Sequence, residues 1–134
     1  RCVVKLDPKK EKTKLARWQQ IAEAAAKQSK RSLIPEIMPV ISLREAFARS
    51  QKMQVRLIPY ERAEGMEKTR EILKGIRSGD EVAVFIGPEG GFEETEIEEA
   101  MKAQIKPVTL GKRILRTETA GMTVLAFLLY QLEQ

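Results

Sequence analysis

Five consecutive apolar residues, Val82, Ala83, Val84, Phe85 and Ile86, lie between the turn pair Gly79 and Asp80 and the pair Gly87 and Pro88. A run this short, flanked by such breakers, reads as a strand rather than a helix. Odd and even positions are equally apolar, so both faces need cover, as in a parallel sheet with helices on either side. A chain of 134 residues holds about one domain, and the other segments fit that demand. "CVVKL" (2–6), "MQVRLIP" (53–59) and "IKPVTL" (105–110) are strand-like. "DPKK" breaks the first of these, and helical periodicity runs from about 11 to 29, with Leu15, Trp18, Ile21 or Ala22, and Ala25 on one stripe. Pro35 and Pro39 hold "PEIMPVIS" extended. Ser42 is placed to cap the short helix "LREAFARS", with Glu45 completing a capping box. Further helices are expected over 66–75, over "EETEIEEAMKAQ" and over "MTVLAFLLYQLE". The last is more apolar than one face requires, which predicts burial against the sheet and against a second copy of the chain. The predicted class is α/β, with a mainly parallel sheet flanked by helices.

Composition narrows the chemistry. The chain is 43% hydrophobic and 32% charged, which suits a globular domain with a real core. No apolar run approaches the roughly 20 residues of a membrane span, so no membrane partner is expected. Cys2 is the only cysteine, which excludes an internal disulfide and a cysteine metal cluster, and a reducing cytoplasm is the expected setting. Histidine is absent altogether. Any catalysis must therefore run without Ser-His or Cys-His pairs and without histidine-held metals, on carboxylates, Lys, Arg, Tyr, Thr or backbone groups. The net charge of +5 is uneven: residues 1–60 carry +9 and residues 61–134 carry −4. A basic half suits a phosphate-rich partner, although a solvated charged face has the same composition.

In parallel α/β sheets ligands gather at the carboxyl ends of the strands. Three loops occupy such positions: "IPYER", "IGPEGGF" and "LGKRILRTETA". "IGPEGGF" matches neither a Walker A loop nor G-x-G-x-x-G. Its glycines permit close approach to the backbone, and an ordinary strand-to-helix turn would use the same residues. In "LGKRILRTETAG", Ile114 and Leu115 are large apolar residues set among Lys112, Arg113 and Arg116, a pattern suited to the wall of an adenine site. Thr117 or Thr119 is placed to cap the helix that follows. At the end of the first helix, Gln28, Lys30 and Arg31 offer a nucleic-acid contact, although basic residues near a helix C-terminus are favourable for the dipole alone.

Taken together, "KQSKRSLIPEI", "IGPEGGF" and "LGKRILRTETAG", in this order and spacing, resemble the bacterial 16S ribosomal RNA uridine-N3 methyltransferases, the RsmE family of the SPOUT superfamily. The likeness covers essentially the whole chain. It implies a C-terminal trefoil knot, S-adenosylmethionine bound in a bent shape within it, no metal, and a homodimer with active sites near the subunit interface. By the same resemblance, cofactor contacts come from Leu57, Ile58 and Pro59, from Ile86, Gly87, Gly90 and Gly91, and from Leu110, Gly111, Ile114 and Leu115. Arg116, Thr117, Glu118, Thr119 and Ala120 complete the pocket, while the variable "IPYER" loop leaves Tyr60 and Glu61 open. The substrate implied is 16S rRNA, within the assembled small ribosomal subunit.

Members also carry an N-terminal RNA-binding barrel of the PUA type. Because the chain opens on Arg1, directly into a strand, residues 1–134 are expected to be an N-terminally truncated SPOUT methyltransferase domain without that barrel. Uracil N3 bears a proton and becomes a good nucleophile only on losing it. Arg116 and Arg31 are the candidates for stabilising the uracil anion. Glu118 is the carboxylate placed to orient the base or accept its proton, with Glu89 in reserve. The alternatives are a SPOUT enzyme with a different RNA target, a non-catalytic RNA-binding module and a nucleotide-phosphate binder.

Overall fold

The computed structural model describes residues 7–63, 65–111 and 115–132. The predicted strand at 2–6 and the loop residues Lys112, Arg113 and Ile114 lie outside them. The chain divides into two units, one ending at Ser42 and the other beginning at Leu43.

The first unit holds helix α1 (Pro8–Gln28) and an extended segment after it. "DPKK" starts this helix. Asp7 accepts the Lys10 N–H at 2.9 Å, and Pro8 takes the first turn, where a missing N–H costs nothing. The inward line of α1 passes through Leu15, Gln19, Ala22 and Ala26, with Ala26 buried. Trp18 and Ile21, expected on the buried stripe, are exposed, and so is Ala25. The polar Gln19 takes an inward position because its amide has work there. It donates from Nε2 to the Pro35 carbonyl at 3.0 Å and accepts the Ile37 N–H at 2.8 Å, fixing the extended segment to the helix.

The second unit alternates helix and strand: α2 (Leu43–Ser50), β1 (Val55–Pro59), α3 (Met66–Lys74), β2 (Val82–Val84), α4 (Glu94–Lys102), β3 (Lys106–Val108) and α5 (Thr117–Leu132). The strands form a parallel sheet in the order β2-β1-β3, with Leu57 opposite Val84 and Lys106. Each face of the sheet is covered by its own cluster. On one side Ile58 packs with Phe47, Phe92, Ile97, Ala100 and Ile105, and the rings of Phe47 and Phe85 meet edge to face at 5.0 Å. On the other, Leu57 packs with Ile76, Val108, Val124 and Leu128. Leu57 and Ile58 are thus neighbours in sequence that point into opposite cores, as the period of two along a strand requires. The expected cover is fullest on central β1. β2, paired on one side only within the described sheet, is half-buried throughout.

Helix α5 begins five residues ahead of the predicted "MTVLAFLLYQLE", with the Ala120 N–H donating to the Arg116 carbonyl at 2.8 Å. Gly121 lies inside the helix rather than at its boundary. Within the single chain, the burial expected on several sides is seen on one. Ala120, Val124 and Leu128 are buried, whereas Met122, Leu125, Leu129 and Leu132 form an exposed apolar stripe.

Candidate active site

Each strand ends by feeding a loop into one cleft. The Tyr60 N–H donates to the Val108 carbonyl at 2.9 Å, and the Phe85 N–H to the Leu57 carbonyl at 3.0 Å. The segments leaving β1 and β2 are therefore still bonded to a neighbouring strand as they enter the site. Beyond these bonds lies a cleft of about 620 Å³ walled by all three post-strand loops. That volume falls among small-molecule sites, about 300–1,000 Å³.

Pro59 and Tyr60 form one side, the 86–92 loop the next, and Thr109, Leu110 and Gly111 the third. Leu115 and Arg116, just ahead of α5, and Thr117, Glu118 and Ala120 in its opening turn close the remainder. Within the 86–92 loop the Gly91 N–H donates to the Pro88 carbonyl at 2.8 Å, and Gly91 has φ of +74°. One bond joins the second and fourth walls: the Thr117 hydroxyl, at the start of α5, donates to the Gly87 carbonyl at 3.1 Å. Neither Thr117 nor Thr119 caps α5 as expected; the Thr119 carbonyl instead accepts the Thr123 hydroxyl at 2.8 Å.

Of the residues expected at the cofactor, Pro59, Ile86, Gly87, Gly90, Gly91, Leu110, Gly111, Leu115, Arg116 and Ala120 line this cleft. Leu57 and Ile58 do not; they are 1% and 0% exposed in the two cores of the sheet. Thr119 is also absent from the lining, and Ile114 lies outside the described residues. Arg116 and Glu118 both line the cleft with exposed side chains. Gln28, the last residue of α1, and Lys30 and Arg31 just beyond it belong to the first unit and are exposed, with Lys30 in the left-handed region at φ 59°. Phe92, the last residue of "IGPEGGF", and Thr109, which lies in none of the quoted loops, also line the cleft. The motif itself was the signal for Phe92, and none existed for Thr109.

The chemical character of the lining is specific. Ile86, Leu110 and Leu115 supply apolar surface and the glycine loop supplies bare backbone. The charged side chains among the described lining residues are Glu61, Glu89 and Glu118 against Arg116. Such a site favours a ligand with a flat apolar part and a positive centre, and disfavours a polyphosphate. Among the described residues no group of three His, Cys, Asp or Glu side chains is arranged to hold a metal ion.

A parallel α/β sheet with its cleft at the strand ends, built from these loops, defines a class of enzyme. The chain belongs to the RNA methyltransferase domain family, whose model matches residues 1–129. It is similar to the ribosomal RNA small subunit methyltransferase E of Bacillus subtilis, at 38% identity over 99% of this chain and 53% of that protein. The protein of the same name from Mesomycoplasma hyopneumoniae is 40% identical over 84% of this chain and 47% of its own length. The fold matches that of ribosomal RNA small subunit methyltransferase E from Neisseria gonorrhoeae, solved bound to S-adenosyl methionine. That match has a TM-score of 0.73 and 34% identity, over 97% of this chain and 51% of the other. The chain thus spans about half the length of these relatives.

Proposed function

We propose that this protein is an S-adenosylmethionine-dependent methyltransferase acting on N3 of a uridine in 16S rRNA. The observation that carries the reading is the convergence of the 86–92 loop and the first turn of α5 on one cleft, with Arg116 and Glu118 in its lining. The apolar walls suit adenine, the carboxylates suit a sulfonium cation, and the Neisseria relative holds this cofactor on a similar fold. When bound, the cofactor supplies a methyl group on a positively charged sulfur.

The protein's part is positioning and charge balance. Arg116 offers a planar guanidinium fork to the uracil oxygens, stabilising the anion that forms as N3 loses its proton. Glu118, two residues on, is the carboxylate assigned to take that proton. Gln28, Lys30 and Arg31 are assigned to the RNA, on the strength of the basic first half of the chain.

The same reading includes a trefoil knot through which α5 passes, a homodimer, and a cytoplasmic setting on the small ribosomal subunit. It also includes a separate PUA-type domain for RNA targeting. These parts rest on the family resemblance.

Titration calorimetry of S-adenosylmethionine into the intact protein is expected to give saturable one-site binding. No heat of binding would leave the RNA-binding module as the better reading. Mass spectrometry of 16S rRNA from a strain lacking the gene is expected to show the loss of one methyl group from a uridine. Unchanged 16S rRNA with a lost methyl in another RNA would reassign the target.

A further inference from the structure

Thr69 does not line the cleft, lies in no motif, and is 2% exposed on α3. A buried threonine in a helix is chemically expensive unless its hydroxyl is used, because valine has the same shape and carries no polar group to desolvate. Here it is used: Thr69 Oγ1 accepts the Thr109 N–H at 3.0 Å. Thr109 is the first residue beyond β3 and is itself 7% exposed. Its own hydroxyl then engages the backbone two residues on, donating to the Gly111 carbonyl at 3.1 Å and facing the Gly111 N–H at 3.2 Å. Gly111 has φ of +120°, a conformation that side chains other than glycine's rarely tolerate, so the loop turns sharply at that point.

We propose that Thr69 is a positioning residue for the ligand cleft, acting through Thr109 to preset the Leu110–Gly111 wall before the cofactor arrives. Fixing a loop in its bound shape removes the ordering cost from the binding step. The inference rests on the reading of this cleft as the S-adenosylmethionine site and names residues that reading does not require.

The test uses the intact protein, with S-adenosylmethionine as titrant, at a temperature where each variant is folded. Thr69→Val is expected to raise Kd about tenfold, the scale of one lost buried hydrogen bond. Thr69→Ser, which restores the acceptor, is expected to stay within about twofold of the unmutated protein. A lowered thermal midpoint with unchanged Kd in Thr69→Val would mean a merely structural role and would overturn the proposal. Should Thr69→Val fail to fold, Thr109→Val decides, since it keeps the amide bond to Thr69 and removes only the hydroxyl that sets Gly111. Wild-type affinity in that variant also overturns the proposal. Hydrogen exchange on the unmutated, cofactor-free protein supplies a readout that needs no variant. The Gly111 amide is expected to be protected, and exchange at the rate of a free loop would sink the idea. If the unmutated protein binds no S-adenosylmethionine, the cofactor reading fails instead, a result distinct from equal binding by the unmutated protein and the variants.

Discussion

Gly87 lacks a side chain for a reason that a neighbour supplies. A Cβ at this position would lie 3.1 Å from Cδ2 and Cε2 of Phe92, and that ring is held in the core with Ile58 and Ile97. The glycine invites a ligand-contact explanation from sequence, whereas the structure gives it a packing role as well. Gly87→Ala is expected to lower unfolding free energy by about 1–3 kcal/mol, measured by urea denaturation, because a packed ring has little room to retreat. Arg116 has the opposite character: exposed at the cleft, it carries no part of the core. Arg116→Ala is expected to abolish methylation in the intact enzyme while leaving cofactor affinity within a few-fold. Turnover at the wild-type rate would remove Arg116 from the mechanism. Leu57 and Ile58, expected at the cofactor, have their side chains in the two cores for a definite reason. Central β1 is covered on both faces, so consecutive side chains go into the two cores and only Pro59, at the strand's end, reaches the cleft.

At the scale of elements, the helices and strands among the described residues were legible in kind, and their ends were not. Asp7 and Pro8 look like a turn pair on paper, and only the bond from the Lys10 N–H to Asp7 makes them a helix start. Gly121 looks like a break, yet α5 continues through it, because its neighbours Ala120 and Val124 are anchored in packing that outweighs one glycine's helix cost of about 1 kcal/mol. Helix α4 repays closer inspection of its sequence: the Glu93 N–H donates to Glu96 Oε1 at 2.8 Å, half of a reciprocal cap spelled with glutamate in place of Ser or Thr. In α1 the decisive residue is Gln19, whose two bonds to Pro35 and Ile37 hold a segment with no sheet partner among the described residues. Gln19→Leu is expected to leave the helix intact and to accelerate amide exchange at Ile37 by about tenfold. Unchanged protection at Ile37 would show that the prolines alone hold the segment extended.

At the scale of the whole molecule, α5 has two sides with different fates. Val124 and Leu128 complete a core, while Met122, Leu125 and Leu129 leave apolar surface on the outside, 53–64% exposed. Their spacing of three and four makes a continuous stripe suited to a second helix. On the proposed homodimer, the unmutated protein is expected to sediment as a dimer at micromolar concentration, and Leu125→Glu with Leu129→Glu as a monomer. A monomeric unmutated protein would count against the dimer.

The sequence alone pointed to the class of fold, because a short run apolar at every position between turn residues suits a strand of a parallel sheet. It also marked the loops that line the cleft, since glycine, proline and charged residues cluster where strands end. What it left undecided was which neighbours each side chain finds across long stretches of chain. Thr69 is 40 residues from Thr109, and Gly87 is 30 from the Thr117 hydroxyl that holds its carbonyl. Those pairings arise from parallel strands carrying their loops to the same end of one sheet, a consequence of topology that no local pattern records.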